Sequence, residues 1–216
     1  VRGQGEVKRN VFGSKKKMKE APEARELPVS SGVRAQGPWD RSEKAAEATA
    51  GYFDFGAFMV RPIAGMQIQV ASDATTNLAV LISLGDSAVE LRASAATRHG
   101  DDWADVLHEI RAEVSARGGD PVERAGAFGR EVLTHFPAQD HEGNDVNQPA
   151  CFVGIQGPRW LLRATVVGPS AVNLEESSDL LDVIRSVVVV RGPEARMLGE
   201  ALPIEVPEQM QDVESA

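Results

Sequence analysis

The sequence predicts an α+β domain in which a largely antiparallel sheet lies between helices as an α/β/α sandwich, and three observations carry the prediction. Apolar residues alternate in neighbouring runs separated by short turns, the mark of hairpins and hence of antiparallel pairing. Two other segments repeat their apolar residues at helical spacing, and an amphipathic helix needs a sheet or another helix to cover. These patterns run from Tyr52 to Gly192 and stop on either side. The expected organisation is therefore a disordered basic arm and linker over 1–51, one domain over 52–192, and an extended tail over 193–216.

Taken in order, Phe53, Phe55 and Phe58 open the sheet, and Met66, Ile68 and Val70 give the next strand. Leu78, Val80, Ile82 and Leu84 recur at every second position, Gly85-Asp86-Ser87 interrupts, and Val89, Leu91, Ala93 and Ala95 resume, which makes a hairpin. A helix follows: Asp102 suits its N-cap, Trp103, Val106, Leu107, Ile110 and Val114 share one face, and Arg117 before Gly118-Gly119 suits its end. Short extended segments come next around 122–124 and 130–136. A polar loop, AQDHEGNDVNQP, leads to the strands 151–155 and 160–167. Leu174, Leu180, Leu181 and Ile184 lie along one face of a second helix with Glu175 and Glu176 near its start. The unbroken run Val187 to Val190 suits a strand covered on both faces.

Charge narrows the function. The 216 residues carry a formal charge of -9, and such a chain as a whole repels phosphate rather than binding nucleic acid. Residues 1–20 are the exception: seven Lys and Arg against Glu6 and Glu20 give +5, so the remainder carries -14. Lys15, Lys16, Lys17 and Lys19 form an electrostatic cluster with the capacity for weak contact with anionic lipid or nucleic acid. Cys151 stands alone, which excludes an intrachain disulfide and a cysteine-rich zinc site and suits the cytoplasm. No apolar run approaches the roughly 20 residues of a transmembrane helix, and no apolar stretch follows the N-terminal basic cluster as a signal peptide requires. A cytoplasmic protein, at most peripheral to a membrane, is expected.

The chemical motifs fail one after another. Gly85-Asp86-Ser87 has the order of an esterase serine motif but fits a tight turn better, because Gly and Asp tolerate positive φ; a hydrolase of small esters or phosphoesters using Ser87 is the alternative to a binding role. The run Asp140 to Asp145 lacks the Gly and Glu that a calcium loop needs at its sixth and twelfth positions. His108-Glu109 lacks a second histidine. Neither common phosphate-cradling glycine loop is present. No catalytic residue, metal ligand or cofactor is therefore assigned. Cys151, among Phe152, Val153 and Ile155, reads as a small buried hydrophobe.

One stretch remains, FVGIQGPRWLLRATVVG, where two apolar runs meet at Gly157-Pro158-Arg159-Trp160. Gly-Pro favours a turn, Trp160 shares a face with Leu162, Ala164 and Val166, and Arg163 points to the other face. A hairpin corner with a buried Trp160 is expected, and Arg159 and Arg163 are the candidate partner-binding residues. Phe152-Val153-Gly154, Gly157 to Trp160, Leu162-Arg163, the Gly85 to Ala88 turn and Val187 to Gly192 together resemble an uncharacterised family of high-GC Gram-positive bacteria, domain of unknown function thirty-seven-ten. The resemblance covers roughly Asp54 to Pro207 and implies a PsbP-like fold, an antiparallel sheet flanked by helices. It brings no catalytic residues. The expected function is a non-enzymatic adaptor with an unknown protein partner.

Overall fold

The computed structural model describes residues 34–72, 77–98, 100–139 and 143–211. The strands are β1 (Trp39–Asp40), β2 (Phe53–Asp54), β3 (Phe58–Val60), β4 (Gln67–Ser72), β5 (Asn77–Leu84), β6 (Ser87–Ala95), β7 (Val122–Gly126), β8 (Gly129–Gln139), β9 (Asp145–Gly157), β10 (Trp160–Val167) and β11 (Val188–Val189). Helix α1 (Asp102–Ala116) stands between β6 and β7, α2 (Ser178–Ser186) between β10 and β11, and a single turn, α3 (Glu208–Gln211), follows. Seven strands form one antiparallel sheet in the order β4-β5-β6-β10-β9-β8-β7, and four short strands form a second in the order β1-β11-β3-β2.

The alternation read in the sequence sorts side chains to the two faces of the large sheet. Cys151, Val153, Ile155, Trp160, Leu162, Ala164 and Val166 point to the face covered by α2 and the small sheet, where Leu180, Ile184, Phe58 and Val189 complete one core. Val132 and Leu161 point to the other face, where Trp103, Leu107, Ile110 and Val114 of α1 form a second core. The architecture is α+β, with helices on both sides of the sheet. The β5–β6 turn is the expected one: Gly85, with φ of 56°, and Asp86 stand between the two strands.

Several expectations need correction. Phe53 and Phe58 belong to the small sheet, not to the large one. The helix cap is Asp101, whose side chain accepts from Ala104 N, while Asp102 is the first helical residue. The polar stretch expected as a loop is mostly strand: β8 and β9 stay paired out to Gln139 and Asp145, and because both faces are wet there the sequence shows no alternation. The segment 34–51 is not featureless linker. It forms β1, which pairs in parallel with β11, and two 3-10 turns, Arg41–Glu43 and Glu47–Thr49. The residues after 192 also pack on the domain, since Ala95 N donates to Glu200 O, Leu202 N donates to Ala93 O, and Leu202 and Ile204 are buried. Structure therefore continues past both expected domain limits. Lys15, Lys16, Lys17 and Lys19 lie outside the described residues.

One polar cluster is buried in the core. Glu131 is 2% exposed, and Arg124 Nε donates to its Oε1 at 2.7 Å while the rest of the guanidinium donates to the carbonyls of Ala171 and Val172. Pairing with Arg124 limits the penalty of burying the carboxylate. Burial and the nearby Glu131 charge push the Cys151 thiol up to about 12, so the thiolate that would react is not formed at neutral pH.

Trp160 is fully buried. Trp160→Ala should destabilise the protein by roughly 3–5 kcal/mol, the usual cost of deleting a large core aromatic, as measured by urea unfolding. A change below about 1 kcal/mol would place the ring outside the core.

Candidate functional site

A deep cleft lies where the β9–β10 turn, the start of α1, the β7–β8 turn and the segment after β11 converge. It encloses about 1070 Å³. Six arginines line it, Arg34, Arg41, Arg98, Arg130, Arg159 and Arg191, against two acids, Asp40 and Asp101. In a chain of net charge -9 this is a local inversion of sign.

Its floor is set by two glycines of β9. A side chain on Gly154 would collide with the Trp103 ring, and one on Gly157 with the Trp160 ring. Their absence leaves room for one indole against each face of the strand. Each ring is pinned by its N–H: Trp103 Nε1 donates to Arg130 O at 2.7 Å, and Trp160 Nε1 to Asp40 Oδ2 at 2.8 Å. Gln156 fixes the start of α1 on β9, accepting from Asp102 N at 3.0 Å and donating to Asp102 Oδ2 at 2.6 Å.

The wall contributed by 34–42 is a closed circuit. Asp40 caps the first 3-10 turn, its N–H donates to Glu43 at 2.7 Å, Glu43 accepts both guanidinium nitrogens of Arg34, and Arg34 lies over the Trp160 ring at 5.2 Å from its centroid. Burial pushes the Asp40 carboxyl upward, but hydrogen bonds from Ser42 and Trp160 and the Arg34 charge outweigh it and hold the pKa below its ordinary value. Arg34 does the same for Glu43.

The opposite wall carries Arg159. Its φ is 62°, and it is the one non-glycine with positive φ among the described residues. Proline fixes its own φ near about -65°, so Pro158-Arg159 follows the type II pattern, in which the second central position favours Gly or Asn. Arg159 thus stands where a glycine would relax the backbone, and such outliers concentrate at functional sites. Its carbonyl accepts from Ala96 N and from Arg191 Nε. Arg191 is only 9% exposed, and it donates to the carbonyls of Arg159 and Glu194. Its field reaches Glu200, which Arg196 and Met197 N already engage.

The two arginines singled out in the sequence are separated by the pleat. Arg159 is on the cleft; Arg163 is not among its lining residues. Arg163 stands on the α1 side of the sheet, opposite Arg92, with Glu90 between them at 3.8 Å from Arg163 and 2.8 Å from Arg92. Burial, then the Arg92 charge, lowers its pKa. Arg34, Arg41, Arg98, Arg130 and Arg191 were not singled out, because each is an ordinary charge in its own segment. The signal within reach was Arg159 at a glycine position of a turn. Ser87 is 8% exposed, and its Oγ accepts from Ser170 N at 3.0 Å. Among the described residues no group of three or more His, Cys, Asp and Glu has the arrangement of a metal site.

Because the Asp40 and Glu43 pKa values are lowered in the fold, both groups stabilise it above the ordinary carboxylate pKa of about 4 and lose that contribution as pH falls through their depressed values. Asp40→Asn should therefore be less stable at neutral pH and decline less between about pH 5 and 2 in urea titrations. Parallel pH curves for the two proteins would exclude Asp40 from the acid response.

Comparison with known proteins gives a family without an activity. No curated protein matches the chain. A solved structure from Bacteroides thetaiotaomicron VPI-5482 is similar at a TM-score of 0.37 and 10% identity over 67% of this chain, which spans 49%, about half, of that protein. The cyanobacterial PsbP (CyanoP) of Synechocystis sp. PCC 6803 is similar at a TM-score of 0.35 and 13% identity, over 62% of this chain and 88% of that one. A family model described as protein of unknown function (DUF3710) matches residues 37–213, and since the match takes in both sheets and every wall of the cleft but Arg34, the chain belongs to that family.

Proposed function

We propose that this protein is a non-enzymatic cytoplasmic adaptor whose contact surface is the arginine-lined cleft at the β9–β10 turn, and that the partner it holds there is negatively charged. The observation that carries this reading is the convergence of six arginines on one cleft of an acidic chain. Arg159 supports it further, as a strained residue kept on the cleft wall. The hydrolase alternative finds less support, because the hydrogen bond at Ser87 Oγ comes from a backbone N–H instead of a base that would activate it.

The test is affinity capture with the full-length protein, identification of the partner, and reconstitution with the purified pair. Arg159→Ala should weaken binding about tenfold or more, the scale of one charged hydrogen bond, while Arg163→Ala changes it little. Unchanged binding by Arg159→Ala would remove the cleft as the contact surface. Arg159→Gly should lose binding equally yet keep or gain stability by up to about 1 kcal/mol, because glycine relaxes a positive φ.

A second reading concerns residues 1–20, for which we propose weak contact with anionic lipid or nucleic acid. The favouring observation is the segregation of charge: residues 1–20 carry +5 in a chain whose remainder carries -14. Vesicle sedimentation and mobility-shift assays on the full chain and on residues 34–216 should show association, lost at high salt, for the full chain alone. Equal behaviour of the two would leave the arm without that role.

A further inference from the structure

We infer that the group recognised in the cleft is a phosphate monoester. This rests on the anionic-partner reading and narrows it. The charge balance comes first. Arg34 is paired with Glu43, and Arg130 with Glu123 at 2.8 Å, a carboxylate that Arg111 shares at 3.1 Å. Arg41, Arg98, Arg159 and Arg191 remain against Asp40 and Asp101, an excess of two positive charges. A carboxylate answers one of them; a phosphate monoester, with a charge of about -1.5 to -2 at neutral pH, answers both.

The commitments of the guanidiniums agree. Arg191 is 91% buried, the complement of its 9% exposure, and is held by two carbonyl oxygens, which orient a guanidinium without cancelling its charge. Arg41 donates to the carbonyl of Lys44. Among the described residues no carboxylate pairs with Arg98 or Arg159. Several planar forks lining one cleft suit a tetrahedral oxyanion with several acceptor oxygens. Bases of a nucleic-acid strand are disfavoured as the recognised feature, because the aromatic lining residues Trp103 and Phe128 are buried at 6% and 5% exposure and present no stacking platform.

The phosphate is carried by a side chain of the partner or by a small ester, and one experiment separates the sources. The full-length protein is titrated calorimetrically with a neutral peptide containing phosphoserine, with its serine and glutamate counterparts, and with inorganic phosphate, all at one ionic strength. The phosphoserine peptide should bind at least about tenfold tighter than the glutamate peptide, and Arg98→Ala and Arg159→Ala should each weaken it about tenfold or more. Arg163→Ala should leave it unchanged, and Arg159→Gly supplies a second variant in which the turn is relaxed. Inorganic phosphate binding as tightly as the peptide means that the group alone is read; weaker binding assigns the source to a phosphorylated polypeptide, and either result supports a phosphoryl site. Equal binding of the glutamate peptide overturns the phosphate assignment and leaves the anion-binding reading of the cleft standing. Retained affinity in the Arg98 and Arg159 variants overturns both.

Discussion

The hydrogen bond from the Trp160 indole to Asp40 is the contact on which the arrangement of this molecule turns. It joins a fully buried ring at the root of β10 to a carboxylate 120 residues earlier in the chain. Through Asp40 it sets the 3-10 turn, through that turn it places Glu43, and through Glu43 it holds Arg34 over the indole. An N–H buried without a partner costs more than the bond itself contributes, so the ring and the N-terminal wall are fixed together. The β9–β10 turn, with Arg159, leads directly into the same tryptophan.

This coupling explains how an acidic protein sustains a basic concavity. Six guanidiniums at one place repel one another, and the structure offsets the repulsion locally. Carboxylates answer Arg34 and Arg130, carbonyls answer Arg41 and Arg191, and solvent answers the exposed Arg98 and Arg159. The surrounding negative surface sharpens the contrast, because a cleft of one sign within a field of the other concentrates the opposite ion. Hydrogen bonds to protein groups hold Arg34, Arg41, Arg130 and Arg191 in place, so their charge is present on the cleft before any ligand arrives.

The large sheet and both helices were legible because each has a buried face long enough to show a period. Trp160 could be placed in the core from its alternation with Leu162, Ala164 and Val166. The segment 34–51 could not be read, since strands of two residues and single 3-10 turns have no period, and what holds them is side-chain bonding to residues far along the chain. The pairing of Glu200 and Leu202 with β6 was hidden for a related reason: it fills the edge that β5 leaves after Leu91, a vacancy visible only in three dimensions. The cleft is assembled from five separate segments, and only its turn carried a local anomaly. Arg163, expected on the face away from Trp160, stands there by the parity of the strand and so lies off the cleft.

The parallel pairing of Trp39 with Val188 and the Asp40 bond to Trp160 are contacts of long sequence separation. Closing so large a loop is entropically unfavourable until the intervening sheet exists. The N-terminal wall of the cleft therefore depends on the sheet being in place. A ligand gripped between that wall and the β9–β10 turn would select chains with the wall in place and, by mass action, hold them there, so that occupancy of the cleft would double as a report on the integrity of the whole domain.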